Sequence, residues 1–341
     1  MNKLPCPILL IILLLPLYIQ AQTKPLTLIQ TIEMPDVPSG PWADHICVDV
    51  TGHRLFTTMQ AQKALVVLDL DKGTVIQNIP VGNPHSCAYR GDLHEIFVND
   101  SDPINPGVKI FSDETYKLIR TVPLLHRTDS MGYDPHLKYI YAVNGGESEN
   151  LDYSLVSIID TTKGEHIGDI KVESATLEDM DVGESGLIYI TAEEKNQVMV
   201  LDPQKRTVVT TWPLMKAKTP VATVVDESDH RLFVACRTGD YYGEIVVFDT
   251  RTGKELKTLP IESWLDYMAF DQHSGRLYAF CGLGHVYVYQ KKTPDDYVLL
   301  QKAETGLLGK TGLVVPELHR LYVVLPNLAW KPAKVLVFSM Q

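Results

Sequence analysis

Short apolar runs recur along the chain, and within them apolar residues alternate with polar, β-branched or aromatic ones. Alternation with a period of two predicts β-strands. After residue 21, no 12-residue segment shows convincing helical periodicity. Turn sequences rich in Asp and Gly separate the runs, as at residues 49–52 and 160–164. We interpret these aspartates as turn formers, because Asp bonds the local backbone and Gly tolerates positive φ.

One phrase, represented by HRLFVA at residues 230–235, occurs seven times. Its third residue falls at Leu55, Ile96, Ile140, Ile188, Leu232, Leu277 and Leu321. The intervals between these positions are 41, 44, 48, 44, 45 and 44 residues. A repeat of this length is typical of propellers, and each unit contains four strand-like runs. The pattern therefore predicts an all-β fold, a seven-bladed β-propeller with four-stranded blades in a single domain over residues 22–341.

The two ends of the chain complement each other. TLIQTIEM at residues 27–34 is similar to TVIQNIPV at 74–81, which is the fourth strand of the first full unit. The last unit ends with its third strand, VLVFSMQ at 335–341. We therefore predict that the N-terminal strand pairs with the last blade, which closes the ring and covers an exposed sheet edge.

The first 21 residues have the pattern of a secretory signal peptide. Lys3 precedes an apolar run of 13 residues, 7–19, and Ile19-Gln20-Ala21 resembles a cleavage site. A membrane-spanning helix needs about 20 apolar residues, so an uncleaved anchor is the weaker alternative. We therefore expect a periplasmic or secreted protein, without a membrane span in the mature chain.

The formal net charge of −11 changes the range of partners. An acidic surface repels nucleic acid and anionic membranes, so we expect neither as a partner. We expect a monomer that binds a small molecule or another secreted protein.

The cysteines of the mature chain, Cys47, Cys87, Cys236 and Cys281, form no C-x-x-C motif. We interpret them as four buried free thiols, although an oxidising compartment also permits disulfides.

Three longer phrases resemble a known family. They are RLFVACRTG at 231–239, DYMAFDQHSGRLYAFCGLG at 266–284 and LVVPELHRLYVVLP at 313–326. Together with the repeat they look like the YVTN-type repeats of secreted YncE-like bacterial β-propellers, over residues 26–341. The resemblance implies the propeller fold and leaves the function open.

Polar residues stand where the first strand of each unit begins. In propellers these strands line the axis, so the following side chains should meet at the channel mouth: Asp44, His45, His85, Asp129, Glu178, Asp266 and Lys310. Arg237 and His285 begin loops that lie on the same face. Ionisable groups that converge on a channel mouth indicate a ligand-binding site.

Part of this set has the chemistry of metal ligands. Oxygen and nitrogen atoms suited to a divalent ion are offered by Asp44, His45, His85, Asp129 and Asp266. A bound metal would activate water or polarise a carbonyl, while Lys310 or Arg237 would hold an anion. Two functions follow: a binding or scaffold protein, or a metal-assisted hydrolase or lyase of the lactonase kind. A third interpretation is that these residues are merely solvated, and no catalytic residue is assigned.

Overall fold

A computed structural model describes residues 24–341, and the predicted signal peptide at 1–21 lies outside the described residues. The 28 strands in this part of the chain form seven antiparallel sheets of four strands. These sheets are the blades of a ring, which confirms the predicted seven-bladed β-propeller. No helix within residues 24–341 has the length and apolar character to cross a membrane.

We number the blades I to VII in chain order. Blades I to III contain β2 (Ala43–Asp49), β3 (Arg54–Met59), β4 (Ala64–Asp69), β5 (Thr74–Pro80); β6 (Pro84–Arg90), β7 (Glu95–Asp100), β8 (Gly107–Ser112), β9 (Leu118–Pro123); and β10 (Met131–Asp134), β11 (Tyr139–Gly145), β12 (Ser154–Asp160), β13 (Glu165–Val172). Blades IV and V contain β14 (Leu177–Val182), β15 (Ile188–Ala192), β16 (Gln197–Asp202), β17 (Thr207–Pro213); and β18 (Pro220–Asp226), β19 (Arg231–Cys236), β20 (Tyr242–Asp249), β21 (Lys254–Glu262). Blades VI and VII contain β22 (Leu265–Asp271), β23 (Arg276–Cys281), β24 (His285–Thr293), β25 (Asp296–Glu304); and β26 (Gly312–Val315), β27 (Arg320–Leu325), β28 (Ala333–Met340), β1 (Leu26–Met34). Short 3₁₀ helices occupy Gln60–Gln62, Gly146–Glu149 and Pro316–Leu318.

The ring is closed by β1, as the sequence predicts. This strand pairs antiparallel with β28, with Leu26 opposite Met340 and Met34 opposite Ala333. Ile32 and Met34 are completely buried between blades VII and I. The backbone of Leu26 also exchanges two hydrogen bonds with the side-chain amide of Gln301 in blade VI. The first and last strands of residues 24–341 are therefore joined non-covalently in the last blade.

Apolar side chains fill the space between neighbouring blades. Seven clusters of buried residues occur, one at each interface of the ring. The third residue of every repeat phrase is completely buried: Leu55, Ile96, Ile140, Ile188, Leu232, Leu277 and Leu321. The first strands contact one another in a closed circle, because β26 touches β2 as well as β22. A rigid frame thus surrounds the axis.

The predicted turn aspartates stabilise turns through hydrogen bonds to the backbone. These turns lie at one end of the propeller, and the loops that enter the first strands lie at the other. The carboxylate of Asp49 accepts a hydrogen bond from the Gly52 amide, and that of Asp160 accepts one from the Thr162 amide.

The cysteines in the described part of the chain are free thiols. Three of them are buried as predicted, but Cys87 is partly exposed because it lines the axial channel.

Candidate functional site

The channel mouth is formed where each chain segment enters a first strand. β-bulges occur at this end of five first strands, where the first strand has one residue more than its partner strand between Ala43 and Ile46, Pro84 and Cys87, Leu177 and Met180, Pro220 and Ala222, and Leu265 and Tyr267. Neighbouring residues of a regular strand point to opposite faces, whereas a bulge redirects a side chain. The consecutive pairs Asp44–His45 and Glu178–Asp179 therefore both line one cavity.

This mouth cavity has a volume of about 320 Å³. The residues that line it are Trp42, Asp44, His45, Gln60, His85, Asp129, Ser130, Glu178, Asp179, Val221, Arg237, Asp266 and Lys310. Every blade contributes at least one of them. Its volume lies within the range of small-molecule sites.

One side of the cavity is a network of aspartates and histidines. The Nδ1 atom of His85 lies 3.0 Å from Asp129 Oδ1 and 3.5 Å from Asp44 Oδ2. The other oxygen of Asp44, Oδ1, lies 2.8 Å from His45 Nδ1. Gln60 donates its side-chain amide to Asp44 Oδ2 at 3.1 Å. Side chains from blades I, II and III are joined in this way at the mouth.

The charges of this network stabilise one another. Burial opposes the charged form of His45, but the neighbouring aspartates, above all Asp44, together outweigh this effect and raise the pKa of His45 to about 9. Burial also opposes the imidazolium of His85, yet Asp129 and Asp44 raise its pKa to about 10. Conversely, the histidines hold the pKa of Asp44 and Asp129 below the usual range despite the burial of both carboxyls. At neutral pH the network therefore contains two cations and two anions.

Three of these groups could also hold a divalent ion. Ligand atoms of Asp44, His85 and Asp129 all lie within 4.8 Å of one another. Carboxylate oxygen and imidazole nitrogen suit several divalent metals. His45 faces the same network through Asp44, whereas Asp266 is engaged elsewhere. The five predicted metal ligands are therefore divided by the structure into a triad, one neighbour of the triad and one residue outside it.

Buried hydroxyl groups fix the backbone beneath the network. The hydroxyl of Thr311 donates to the carbonyl oxygen of Asp44 at 2.8 Å, and that of Thr58 donates to the carbonyl of His85 at 2.6 Å. Ser86 donates in the same way to the carbonyl of Asp129 at 2.5 Å. Each of these bonds crosses from one blade to the next. The mouth side chains thus project from a backbone that is already ordered.

The opposite side of the cavity is cationic. Asp266 forms ion pairs with both Arg237 and Lys310. Arg237 also donates from Nε to the carbonyl oxygen of Leu265 at 2.9 Å. Burial lowers the pKa of Arg237 and of Lys310, because it disfavours their charged forms. Two cations share one carboxylate here, so this side carries a net positive charge.

Two further carboxyls are unusual in their surroundings. Burial, together with the charges of Asp129 and Glu193, raises the pKa of Glu178 to about 8, although Arg127 lies 3.1 Å from its Oε1. Burial also raises the pKa of Asp179 to about 7. Asp179 Oδ2 is buried without a hydrogen-bond partner among residues 24–341. Perturbed carboxyls of this kind are typical of functional sites.

A second, apolar cavity adjoins the mouth. Its volume is about 430 Å³ and its lining is Pro41, Trp42, Arg237, Trp264, Leu308 and Lys310. We call it the tryptophan annex. Trp42 and Trp264 are 54% and 46% exposed, although tryptophan is usually well buried. The Lys310 ammonium lies 4.8 Å from the centroid of the Trp42 ring, within range of a cation–π interaction.

The predicted site residues are brought together with one exception. All except His285 line the mouth cavity: Asp44, His45, His85, Asp129, Glu178, Arg237, Asp266 and Lys310. His285 instead pairs with Glu262 at 2.7 Å in the neighbouring blade. The loop before it is only three residues, 282–284, so His285 belongs to strand β24 and does not reach the axis.

Among the polar aliphatic residues of the cavity, sequence reasoning missed three: Gln60, Ser130 and Asp179. Gln60 could have been found, because it directly follows a second strand, as Arg237 does. Asp179 lies beside a predicted residue, Glu178, and reaches the cavity through the bulge in β14. Nothing in the alternation of apolar and polar residues marks that bulge.

No family model and no curated protein matches the chain. Solved structures similar to it include Kuenenia stuttgartiensis hydrazine synthase, with 17% identity and a TM-score of 0.74 over 89% of this chain and 96% of that one. The RRP9 WD40 repeats show 9% identity and a TM-score of 0.77 over 94% and 99% of the two chains. A chain of the mitotic checkpoint complex shows 12% identity and a TM-score of 0.72 over 98% and 97%. At such low identity the similarity concerns the fold alone.

Proposed function

We propose that the protein is a secreted or periplasmic binding protein, of the YncE-like kind, that holds a small molecule at the channel mouth. The observation that carries the proposal is the convergence of ionisable side chains from around the ring on one cavity of about 320 Å³. Solvation alone does not account for two histidines whose pKa is raised by buried aspartates, or for two carboxyls whose pKa is raised by their own burial.

The order of the backbone supports a ligand site as well. Bonds from Thr58, Ser86 and Thr311 fix the carbonyl groups of three mouth residues. Binding then requires little further ordering of the protein, which favours affinity. The dimensions of the cavity favour a small molecule over another secreted protein as the partner.

Secretion is supported by the signal-peptide pattern of the first 21 residues.

A thermal-shift screen of amino acids, sugars, organic acids and nucleotides tests this proposal. A ligand that binds only the folded state raises the melting temperature. We expect at least one compound to stabilise the wild type, and we expect Lys310→Met to diminish the shift, because Lys310 lines both the mouth cavity and the adjoining annex. The matched control is Lys302→Met, since Lys302 pairs with Glu262 outside both cavities. The proposal fails if no compound shifts the wild type, or if both variants respond as the wild type does.

The triad of Asp44, His85 and Asp129 favours a second candidate, a metal-assisted hydrolase or lyase that uses the same mouth. The metal would supply an activated water or a polarised carbonyl, and Arg237 and Lys310 would face the substrate anion. Calorimetric titration with zinc and manganese chlorides tests it. We expect one ion to bind the wild type with a stoichiometry near one.

A matched pair of variants locates that ion. Asp129→Asn should abolish binding, whereas Asp266→Asn should preserve it because Asp266 lies outside the triad. Equal losses in the two variants, or no binding of either metal to the wild type, would exclude this candidate. The small-molecule proposal does not depend on that result.

A further inference from the structure

The tryptophan annex has a lining of unusual composition. Trp42, Trp264, Pro41 and Leu308 form its apolar wall. Among residues 24–341, the only charged side chains that line it are Arg237 and Lys310, and both also line the mouth cavity. An apolar recess therefore opens directly onto a cationic edge.

The cationic edge is incompletely neutralised. Arg237 and Lys310 both pair with Asp266, so one carboxylate serves two cations. The ring of Trp42 beneath Lys310 attracts the ammonium group but contributes no charge. Burial lowers the pKa of Arg237 and Lys310 despite the opposing effect of Glu178 and Asp129, because it disfavours the charged form of both cations. An additional anion at this edge would stabilise those charged forms.

We propose that the annex and its cationic edge bind an amphipathic carboxylate, with the apolar body against Trp42 and Trp264 and the carboxylate at Arg237 and Lys310. This inference rests on the proposed function and specifies the class of small molecule. Guanidinium and ammonium groups are both suited to a carboxylate, and the guanidinium can bind it with two hydrogen bonds. An aromatic ring is a favourable body, because it offers flat surface to the indoles.

Other classes of ligand fit the annex less well. A sugar acid carries several hydroxyl groups, each of which needs a hydrogen-bond partner when buried. Among its described lining residues, the annex offers such a molecule only side-chain donors, from Arg237, Lys310 and the indole N–H groups of the two tryptophans, and no side-chain acceptor. An amine would be repelled by Arg237 and Lys310. A neutral apolar molecule would fill the recess but leave the cationic edge uncompensated.

The position of Trp264 is held by the backbone. Trp264 has φ of +63°, a conformation in which a residue with a side chain is uncommon. Its carbonyl oxygen accepts a hydrogen bond from the Gly282 amide at 3.0 Å, and the carbonyl of Gly282 accepts one from Leu308 at 2.6 Å. Leu308 also has φ of +63°. These two backbone hydrogen bonds hold the exposed indole of Trp264 beside the mouth.

Four probes test the inference. 4-Phenylbutyrate is the expected ligand, 4-phenylbutan-1-ol and 4-phenylbutylamine have a similar size, and glucuronate has the same charge. Binding to the intact protein is measured by calorimetry and by quenching of tryptophan fluorescence. We expect 4-phenylbutyrate to bind about tenfold or more tightly than the alcohol, as a charge-assisted hydrogen bond allows. The amine and glucuronate should bind more weakly than the alcohol.

Three variants assign the contacts. Lys310→Met should remove the preference for 4-phenylbutyrate over the alcohol, whereas Trp264→Ala should weaken both. The matched control is Trp330→Ala, because Trp330 is 73% exposed outside the annex and should not affect binding. Asp266→Asn should strengthen binding of 4-phenylbutyrate several-fold, since it removes the carboxylate that competes for the two cations. A merely structural role of Asp266 does not predict a gain in affinity.

Specific results overturn the inference. Equal or tighter binding of the alcohol would show that the cationic edge does not select an anion. Tight binding of glucuronate without 4-phenylbutyrate would show a sugar-acid site, and the proposed small-molecule function would survive. A failure of 4-phenylbutyrate to bind, together with a compound from the broad screen that does bind, would likewise reject only the ligand class. Failure of every compound would reject both.

Discussion

The Nδ1 atom of His85 lies 3.0 Å from Oδ1 of Asp129, and this contact joins blades II and III at the channel mouth. The side chains are 18% and 28% exposed, so solvent screens the pair only partly. The contact accounts for opposite pKa shifts in its two members, upward for His85 and downward for Asp129. It therefore contributes to the stability of the ring and to the chemistry of the mouth.

Asp129→Asn should destabilise the protein by about 1–3 kcal/mol, because it leaves a charged imidazolium with weaker compensation. The variant should also lower the pKa of His85. Urea unfolding measures the first effect and nuclear magnetic resonance titration measures the second. The matched control is Asp71→Asn, which breaks an exposed pair with His53 and should have no measurable effect. Similar effects of the two variants would contradict the assignment.

Glu178 should make the stability depend on pH. Its pKa is raised from 4.5 to about 8, so the folded state retains a proton that the unfolded chain has lost between these values. The free energy of unfolding contributed by this group therefore falls as pH rises through that window. The charged neighbours are Asp129 and Glu193, which raise the pKa, and Arg127 and Arg237, which lower it.

Glu178→Gln removes this titration. Relative to the wild type, the variant should gain stability as pH rises from about 4.5 to about 8, and the gain should then level off. Urea unfolding at a series of pH values measures the difference. The exposed Glu114→Gln serves as a control and should show no such pH-dependent gain. A constant difference for Glu178→Gln across the range would refute the prediction.

The closing strand should be energetically important. Ile32 is completely buried between blades VII and I, whereas Ile29 of the same strand is 48% exposed. Ile32→Ala should therefore destabilise the protein by about 2–5 kcal/mol. Ile29→Ala should cost less than about 0.5 kcal/mol, because it creates no cavity. Equal effects in thermal or urea unfolding would mean that the strand does not close the ring as described.

Gly282 should be intolerant of a side chain. A Cβ atom there would lie 2.6 Å from the Trp264 carbonyl oxygen and 3.3 Å from Lys310 Cβ. Gly282→Ala should cost about 1–3 kcal/mol through this crowding, and should also disturb the annex. Gly239→Ala is the matched control on the same face, since a Cβ atom added at Gly239 would lie 3.9 Å from its nearest contact, the Tyr242 carbonyl oxygen. Urea unfolding of the two variants tests the difference.

Because the cysteines of residues 24–341 are free thiols, we expect reducing agents to leave the stability of the protein unchanged. Cys236 and Cys281 are buried within blades V and VI, and burial raises the pKa of both thiols. The melting temperature should be the same with and without dithiothreitol. In the native state, Cys87 should react with a thiol reagent before these two, because it is partly exposed in the channel. A lower melting temperature after reduction would indicate a disulfide.

Most of the fold is predictable from the sequence because it is encoded locally and repeated. The seven leucine and isoleucine positions of the repeat are all completely buried, as their place in the second strand requires. The role of TLIQTIEM followed from counting strands, and its pairing with β28 confirms it. The general location of the mouth followed from the same repeat, since equivalent residues of a ring meet at its axis.

The detailed arrangement of the site was not predictable in the same way. Asp266 was expected among the metal ligands, but it pairs with Arg237 and Lys310. Asp179 was not expected at all, and its entry into the cavity depends on a bulge. His285 was expected at the mouth, but a three-residue loop keeps it in strand β24 beside Glu262.

The sequence by itself therefore determined the number of blades, their strands and the closure of the ring, because each depends on short-range alternation and on a regular repeat. Only the tertiary structure decided which charges meet. Arg237 and Asp266, like His85 and Asp129, come from different blades and lie more than 25 residues apart in the chain. Whether two such side chains touch depends on bulges, loop lengths and the spacing of blades around the axis. Those features are set by the packing of the whole ring.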